Sequence, residues 1–224
     1  MSRNTTVVIC SIALLGALVL LWLQSRPAGV KVSRAEVVNV QASVGLALAE
    51  ETIKAIQDHG SIVIVTADPP ERLHVQSNSQ WHAFESELQK HGAIHITAIE
   101  GVKFELESGQ LFCPPAAFEE LWERHATADA LIFLIDLPEW AAVAGAMAPS
   151  GKPKIIAVDN VGALTKVHYG GYFTSGILAA LIGKAGRPVQ NGQPKTSREW
   201  FEKYYQVYTP QNIDSLPDAG ERKY

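Results

Sequence analysis

Three aspartates at the ends of apolar runs form the one constellation in this sequence with a recognisable chemistry. Asp68 follows Ser61-Ile-Val-Ile-Val-Thr66, Asp136 closes the run that begins at Ala130, and Asp159 follows Lys154-Ile-Ile-Ala-Val158. Carboxylates gathered at the carboxyl ends of neighbouring strands can hold a polar solute or, with magnesium, work on phosphates. The same residues have a plainer use, because a strand-end Asp often caps the next helix or stabilises a turn. Trp140, one helical turn past Asp136, can stack on a sugar ring or pack into a core. No nucleophile motif, catalytic Lys or phosphate-cradling Gly loop accompanies the carboxylates. The seven histidines are scattered without metal-binding spacing, and Cys10 and Cys113 form no Cys-x-x-Cys pair. These absences argue against an enzyme, and the sequence implies no cofactor.

The elements that must position these groups follow from hydrophobic patterning. Ala130-Leu-Ile-Phe-Leu-Ile135 is too short to cross a membrane and shows no alternation, which suits a strand buried on both faces. Similar runs at 61–66, 93–97 and 154–158 are separated by helix-like segments, which predicts a three-layer α/β domain of the Rossmann/flavodoxin-like kind around a parallel five-stranded sheet. In a flavodoxin-like strand order the first, third and fourth strands are neighbours, and the three carboxylates crowd one edge.

Taken in order, a helix is expected over 40–59 with Gly60 as its stop. Ser77 and Gln80 have capping-box spacing before a helix whose Trp81, Phe84 and Leu88 share a face. The segment 102–112 alternates around Ser108-Gly109 and reads as a small half-exposed hairpin. Pro114-Pro115 opens a helix through Trp122, and another helix is expected over 138–147. A last short strand is placed near 166–169, followed by a helix bearing Ile177, Leu178, Leu181 and Ile182. Thr196 with Glu199 starts a final helix carrying Trp200, Phe201, Tyr204 and Tyr205.

Composition sets the outer limits. The 224 residues are 47% hydrophobic and 19% charged, enough to bury a core. The net charge is -4; Arg3 is the one charge ahead of Gln24, so the remainder carries 18 basic and 23 acidic side chains. An acidic balance gives no sign of nucleic-acid binding. From Val7 to Leu23 the chain has 17 uncharged residues with no small-x-small cleavage site after them, which reads as an uncleaved membrane anchor. The organisation expected is therefore an anchor at 1–24, a linker at 25–38 and one domain at 39–224. Basic residues stand on both sides of the apolar run, so charge does not fix its orientation.

From about Asn39 to Leu216 the order of motifs resembles the C-terminal lobe of type I periplasmic binding proteins, the ribose-binding and lactose-repressor-like family. Gly45 stands in the opening helix, Ile135-Asp136 and Ala141 answer to an Asn-Asp-x-x-Ala segment, and Val158-Asp159-Asn160 to a Gly-x-Asp segment. Gly171 to Ser175 resembles the family's Gly-x-x-x-Ala-Thr, and Tyr208-Thr209-Pro210-Gln211-Asn212-Ile213-Asp214 its closing tail. The family's first lobe has no counterpart. Gln80, ahead of Ala83-Phe84, stands where the family carries a ligand-holding Arg, Ile135 stands for Asn, and the 101–113 hairpin is additional.

The resemblance implies a domain in the periplasm, tied to the inner membrane, that recognises a small sugar-like solute through Asp136 and Asp159, with Trp140, Gln80 and Asp68 nearby. Half of a two-lobed site gives weak binding, so a protein partner or a second copy is expected. The alternative is an interaction or scaffold protein that keeps the lobe fold and docks on a protein. In either case Leu137, Trp140 and Val161 are expected as an exposed apolar docking patch at the carboxyl ends of the strands.

Overall fold

The computed structural model describes residues 33–70, 78–103, 105–107, 110–146, 153–159, 165–184 and 192–216. Helix α1, Arg34–Ile56, begins earlier than the patterning suggests. Ser33 Oγ accepts from the Glu36 amide at 3.1 Å, and no Gly or Pro stands between Ser33 and Gly45. Gln57 and Asp58 then adopt left-handed backbone and turn the chain into β1, Gly60–Ala67. Helix α2, Ser79–Leu88, is capped by Asn78, whose side chain accepts from the Trp81 amide; Ser77, expected to start it, lies outside the described residues. Strand β2, Ile94–Val102, leads into the expected hairpin of β3, Glu105–Glu107, and β4, Gln110–Phe112. Helix α3, Pro115–Arg124, opens on its proline pair. The strand β5, Ala130–Phe133, is fully buried.

Three assignments in the second half differ from the sequence expectation. Helix α4 covers only Trp140–Val143. After β6, Lys154–Val158, the segment expected to be a strand is helix α5, Lys166–Thr174. Thr165 caps it, accepting from the His168 amide at 3.2 Å. The segment expected to be a helix is strand β7, Leu178–Lys184. A short apolar run such as Leu178-Ala-Ala-Leu-Ile182 fits a buried strand as well as one helical turn, and only its place in the sheet decides. Helix α6, Ser197–Tyr204, hands over at once to β8, Tyr205–Tyr208, and a single 3-10 turn follows at Ile213–Ser215.

The main sheet has the order β2-β1-β5-β6-β7-β8. The first five strands are parallel in the flavodoxin-like order, so β1, β5 and β6 are neighbours, as expected. The sheet is mixed, however, and six-stranded: β8 adds an antiparallel edge against β7. Helices cover both faces. Val63, Leu131, Phe133 and Ile155 meet α3 and α5 through Phe118, Trp122, Tyr169 and Tyr172. Ile62, Ile64, Ile132 and Ile156 meet α1 and α2 through Leu48, Trp81 and Phe84. Burying each such side chain is worth about 1.5–3 kcal/mol, so the core lies along β1, β5 and β6. A Cβ on Gly45 would stand 2.1 Å from the Gln80 carbonyl oxygen, so α1 and α2 approach backbone to backbone and only glycine fits.

Val37–Tyr224 forms one compact unit; of the unit Met1–Glu36 the described residues are 33–36. Among the described residues no helix is long and apolar enough to cross a membrane. The 7–23 run expected as an anchor lies outside them.

Candidate functional site: the carboxyl edge of the sheet

Parallel strands end together on one edge, and β5 and β6 deliver Asp136 and Asp159 there. Each is locked by its backbone. Asp136 forms an isolated parallel bridge with Phe112, and its carbonyl accepts from the Cys113 amide at 2.9 Å. The β3–β4 hairpin is thereby fastened above β5. The Asp159 amide donates to the Ile182 carbonyl at 2.8 Å, extending the β6–β7 ladder. Asp68 sits apart from this pair. It is exposed, its amide donates to the Val102 carbonyl at 3.0 Å, and Gly101 of β2 lies against its carboxylate.

Burial separates the three. Asp136 is 1% and Asp159 0% exposed, so neither faces solvent. The N-cap positions of α4 and α5 belong to Glu139 and Thr165. Helix α5 brings Tyr169 against one of the two aspartates. The Tyr169 hydroxyl lies 3.5 Å from Asp159 Oδ1, and the ring is fully buried. Burial first, then the charges of Asp159 and Asp136, push the Tyr169 hydroxyl well above its ordinary value. It therefore stays a neutral phenol and donor beside two carboxylates. Tyr205, at the start of β8, is raised by burial and then by Asp159.

The segment 137–140 is bolted to the same helix. His168 Nε2 is 3.0 Å from the Leu137 carbonyl oxygen, and the Tyr172 hydroxyl donates to the Pro138 carbonyl at 3.0 Å. The His168 ring also stacks on Phe112 of the hairpin, 5.4 Å between centroids. Trp140 is half-buried, with its ring edge-on to Tyr172 at 4.9 Å and its indole laid over Gly171. The expected apolar docking patch is not formed as such: Leu137 is 1% exposed, Trp140 packs on α5, and Val161 lies outside the described residues. Gln80 is half-buried in the first turn of α2, and its Nε2 is buried without a hydrogen-bond partner.

The structure thus brings Asp136 and Asp159 together around Tyr169, with Trp140 on the outer side of α5 and Asp68 on the β2 side. Sequence patterning missed Tyr169, Tyr172 and His168. Their signal is Thr165 three residues ahead of His168, a capping pattern, with Tyr169 and Tyr172 at helical spacing. Among the described residues no group of three or more His, Cys, Asp and Glu side chains could hold a metal. A groove of about 520 Å³ opens between α1 and α6–β8, and none of the five candidate residues lines it.

No family model matches the chain. No curated protein matches its sequence either. Among solved structures it is similar to an ABC-transporter solute-binding protein from Burkholderia graminis, solved in complex with D-arabinose, with a TM-score of 0.51 and 19% identity over 77% of this chain. It is also similar to a sugar-binding protein of a sugar ABC transporter from Bacillus halodurans, with a TM-score of 0.50 and 13% identity over 79% of this chain. The chain covers 61% and 64% of those proteins. It spans about three fifths of their length, and at these identities the likeness is one of fold: the chain has the fold of one lobe of the type I periplasmic sugar-binding proteins.

Proposed function

We propose that this protein is a non-enzymatic, membrane-anchored interaction domain, facing the periplasm, that keeps a sugar-binding lobe's fold while its own side chains fill the place of the solute. The observation that carries this reading is the burial of Asp136 and Asp159, with the Tyr169 hydroxyl set against Asp159. A solute reaching Asp159 would have to move Tyr169, on a helix that the His168 and Tyr172 bonds to residues 137 and 138 hold down. Binding energy spent on that rearrangement is lost from affinity. The uncharged 7–23 run supports the anchor.

A second reading, recognition of a small sugar-like solute through Asp136 and Asp159 with Trp140, Gln80 and Asp68, draws on the fold likeness to a protein solved with D-arabinose. One experiment separates the two. In calorimetric titration of the full chain in detergent with D-arabinose and other pentoses and hexoses, no heat of binding is expected up to millimolar sugar. Micromolar binding that disappears in Asp136→Asn or Asp159→Asn would replace the interaction reading with the solute reading.

A further inference from the structure

The groove between α1 and α6–β8 holds about 520 Å³, the size of a small-molecule site, and the aspartates of the carboxyl edge have no part in it. Leu46, Glu50 and Lys54, one helical turn apart, form the α1 wall. Phe201 and Tyr205 line it from α6 and β8, half-buried and with their rings stacked at 6.0 Å between centroids. Aromatic faces of this kind attract cations. The charges around them are unevenly matched. Lys54 Nζ pairs with Glu51 at 2.6 Å, and Arg198 Nε with Glu202 at 2.8 Å. Lys203 gives its ammonium to the Gly192 carbonyl at 3.2 Å and to the rings of Trp200 and Tyr204, none of which lines the groove. Glu50 is left over. It is exposed, and among the described residues it makes neither a hydrogen bond nor an ion pair. Arg198 feels its charge, but the bond and charge of Glu202 act on Arg198 first and Glu50 last.

We propose that this groove binds a small alkylammonium ion, with its charge at Glu50 and its alkyl groups on Phe201, Tyr205 and Leu46. An exposed carboxylate alone holds a cation weakly, because water solvates both. Ring faces beside it add attraction for the same charge, and the apolar wall takes up the alkyl groups. The combination discriminates. A divalent metal ion needs more oxygen ligands than one carboxylate offers. A neutral sugar gives Glu50 no opposite charge, and an anion is repelled by it. Free solutes such as choline and the headgroup of a phosphocholine lipid carry the same ammonium chemistry. The site is independent of the carboxyl edge, and it stands whether or not the chain is anchored.

The test is saturation-transfer NMR on the full chain in a detergent without aromatic rings. Irradiating the protein's aromatic protons should pass saturation to the N-methyl signal of choline. The neutral analogue of choline, with carbon in place of nitrogen, should bind about ten-fold more weakly or less. Glu50→Gln alters an exposed side chain, so the melting temperature should stay the same while choline binding falls about ten-fold. Phe201→Leu keeps an apolar wall and removes one ring, and should weaken binding about three-fold. Glycerophosphocholine, run beside choline, separates the two sources: tighter binding of choline assigns a free solute, and tighter binding of glycerophosphocholine a lipid headgroup. Equal binding of choline and its neutral analogue, undiminished binding by Glu50→Gln, or no transfer to either ammonium compound would overturn the site.

Discussion

The Tyr169 hydroxyl faces Asp159 Oδ1 across 3.5 Å, and both residues are closed off from solvent. The contact is long for a hydrogen bond to a carboxylate, and the ring itself fills the space between β5, β6 and α5. Removing the hydroxyl alone and removing the ring should therefore differ sharply. Tyr169→Phe is expected to cost about 1 kcal/mol of stability. Tyr169→Ala is expected to cost about 3–5 kcal/mol, as buried aromatic truncations do. Urea unfolding at neutral pH checks both, and a loss below about 1 kcal/mol for the alanine variant would show that the ring does not fill this site.

Alkali should unfold the domain earlier than its surface charge suggests. Burial pushes the Cys113 thiol from 9.0 up to about 12. The folded state thus holds this proton more tightly than the unfolded chain. The stability linked to it is complete below the unfolded thiol's value near 9 and is lost as pH rises from there towards about 12. Tyr169 and Tyr172, raised by burial, extend the same loss above the ordinary tyrosine value of 10. Denaturant midpoints should fall steadily between pH 9 and 12, and Cys113→Ala should flatten the first part of that fall. Tyrosinate absorbance should appear in step with unfolding for these two residues and not ahead of it.

The sequence made the central strands legible and left the cover illegible, for one physical reason. Leu131, Ile132 and Phe133 sit in a continuous apolar run that only a strand buried on both faces explains, and β5 is that strand. Trp81, Phe84 and Leu88 share a helix face by their spacing alone, and all three are buried. Asp136 and Asp159 follow such runs and so could be placed at the carboxyl edge. Their surroundings depend on Tyr169, a distant residue on a segment whose local pattern suggests a strand. Nothing near Asp136 in the sequence announces that α5 will lie over it. The swapped assignments of α5 and β7 have the same origin, since Leu178 to Ile182 become a strand only because β6 offers its free edge.

Trp140 and Gly171 make a lock that can be tested by itself. A Cβ added at Gly171 would stand 2.0 Å from the Trp140 ring, so Gly171→Ala must expel the indole or shift α5. The expected cost is about 1–3 kcal/mol, as for other overpacking changes. Trp140→Ala removes the obstacle along with the packing on Tyr172. In the double variant the alanine methyl gains room, so its combined loss should be smaller than the sum of the two single losses by about 1 kcal/mol or more. Strict additivity, measured by chemical unfolding of all four proteins, would mean that the two side chains do not meet.

The last prediction concerns the outer edge of the sheet. β8 is an edge strand, and an unprotected edge invites pairing with other chains. Asn212 closes part of it. Its Oδ1 accepts from the Thr209 amide at 2.6 Å while its Nδ2 donates to the Val207 carbonyl at 2.9 Å. One side chain thus satisfies a donor in the turn and an acceptor on the strand edge, which needs an amide's two-sided chemistry. Asn212→Asp keeps the acceptor and loses the donor; Asn212→Ala loses both. The expected order of stability is wild type, then Asp, then Ala, with about 1 kcal/mol lost for each hydrogen bond removed. The alanine variant should also aggregate faster below its unfolding midpoint, because the Val207 carbonyl is left open on the edge. Light scattering during a slow thermal ramp reads this directly, and equal aggregation of wild type and Asn212→Ala would show that the edge is guarded by something other than Asn212.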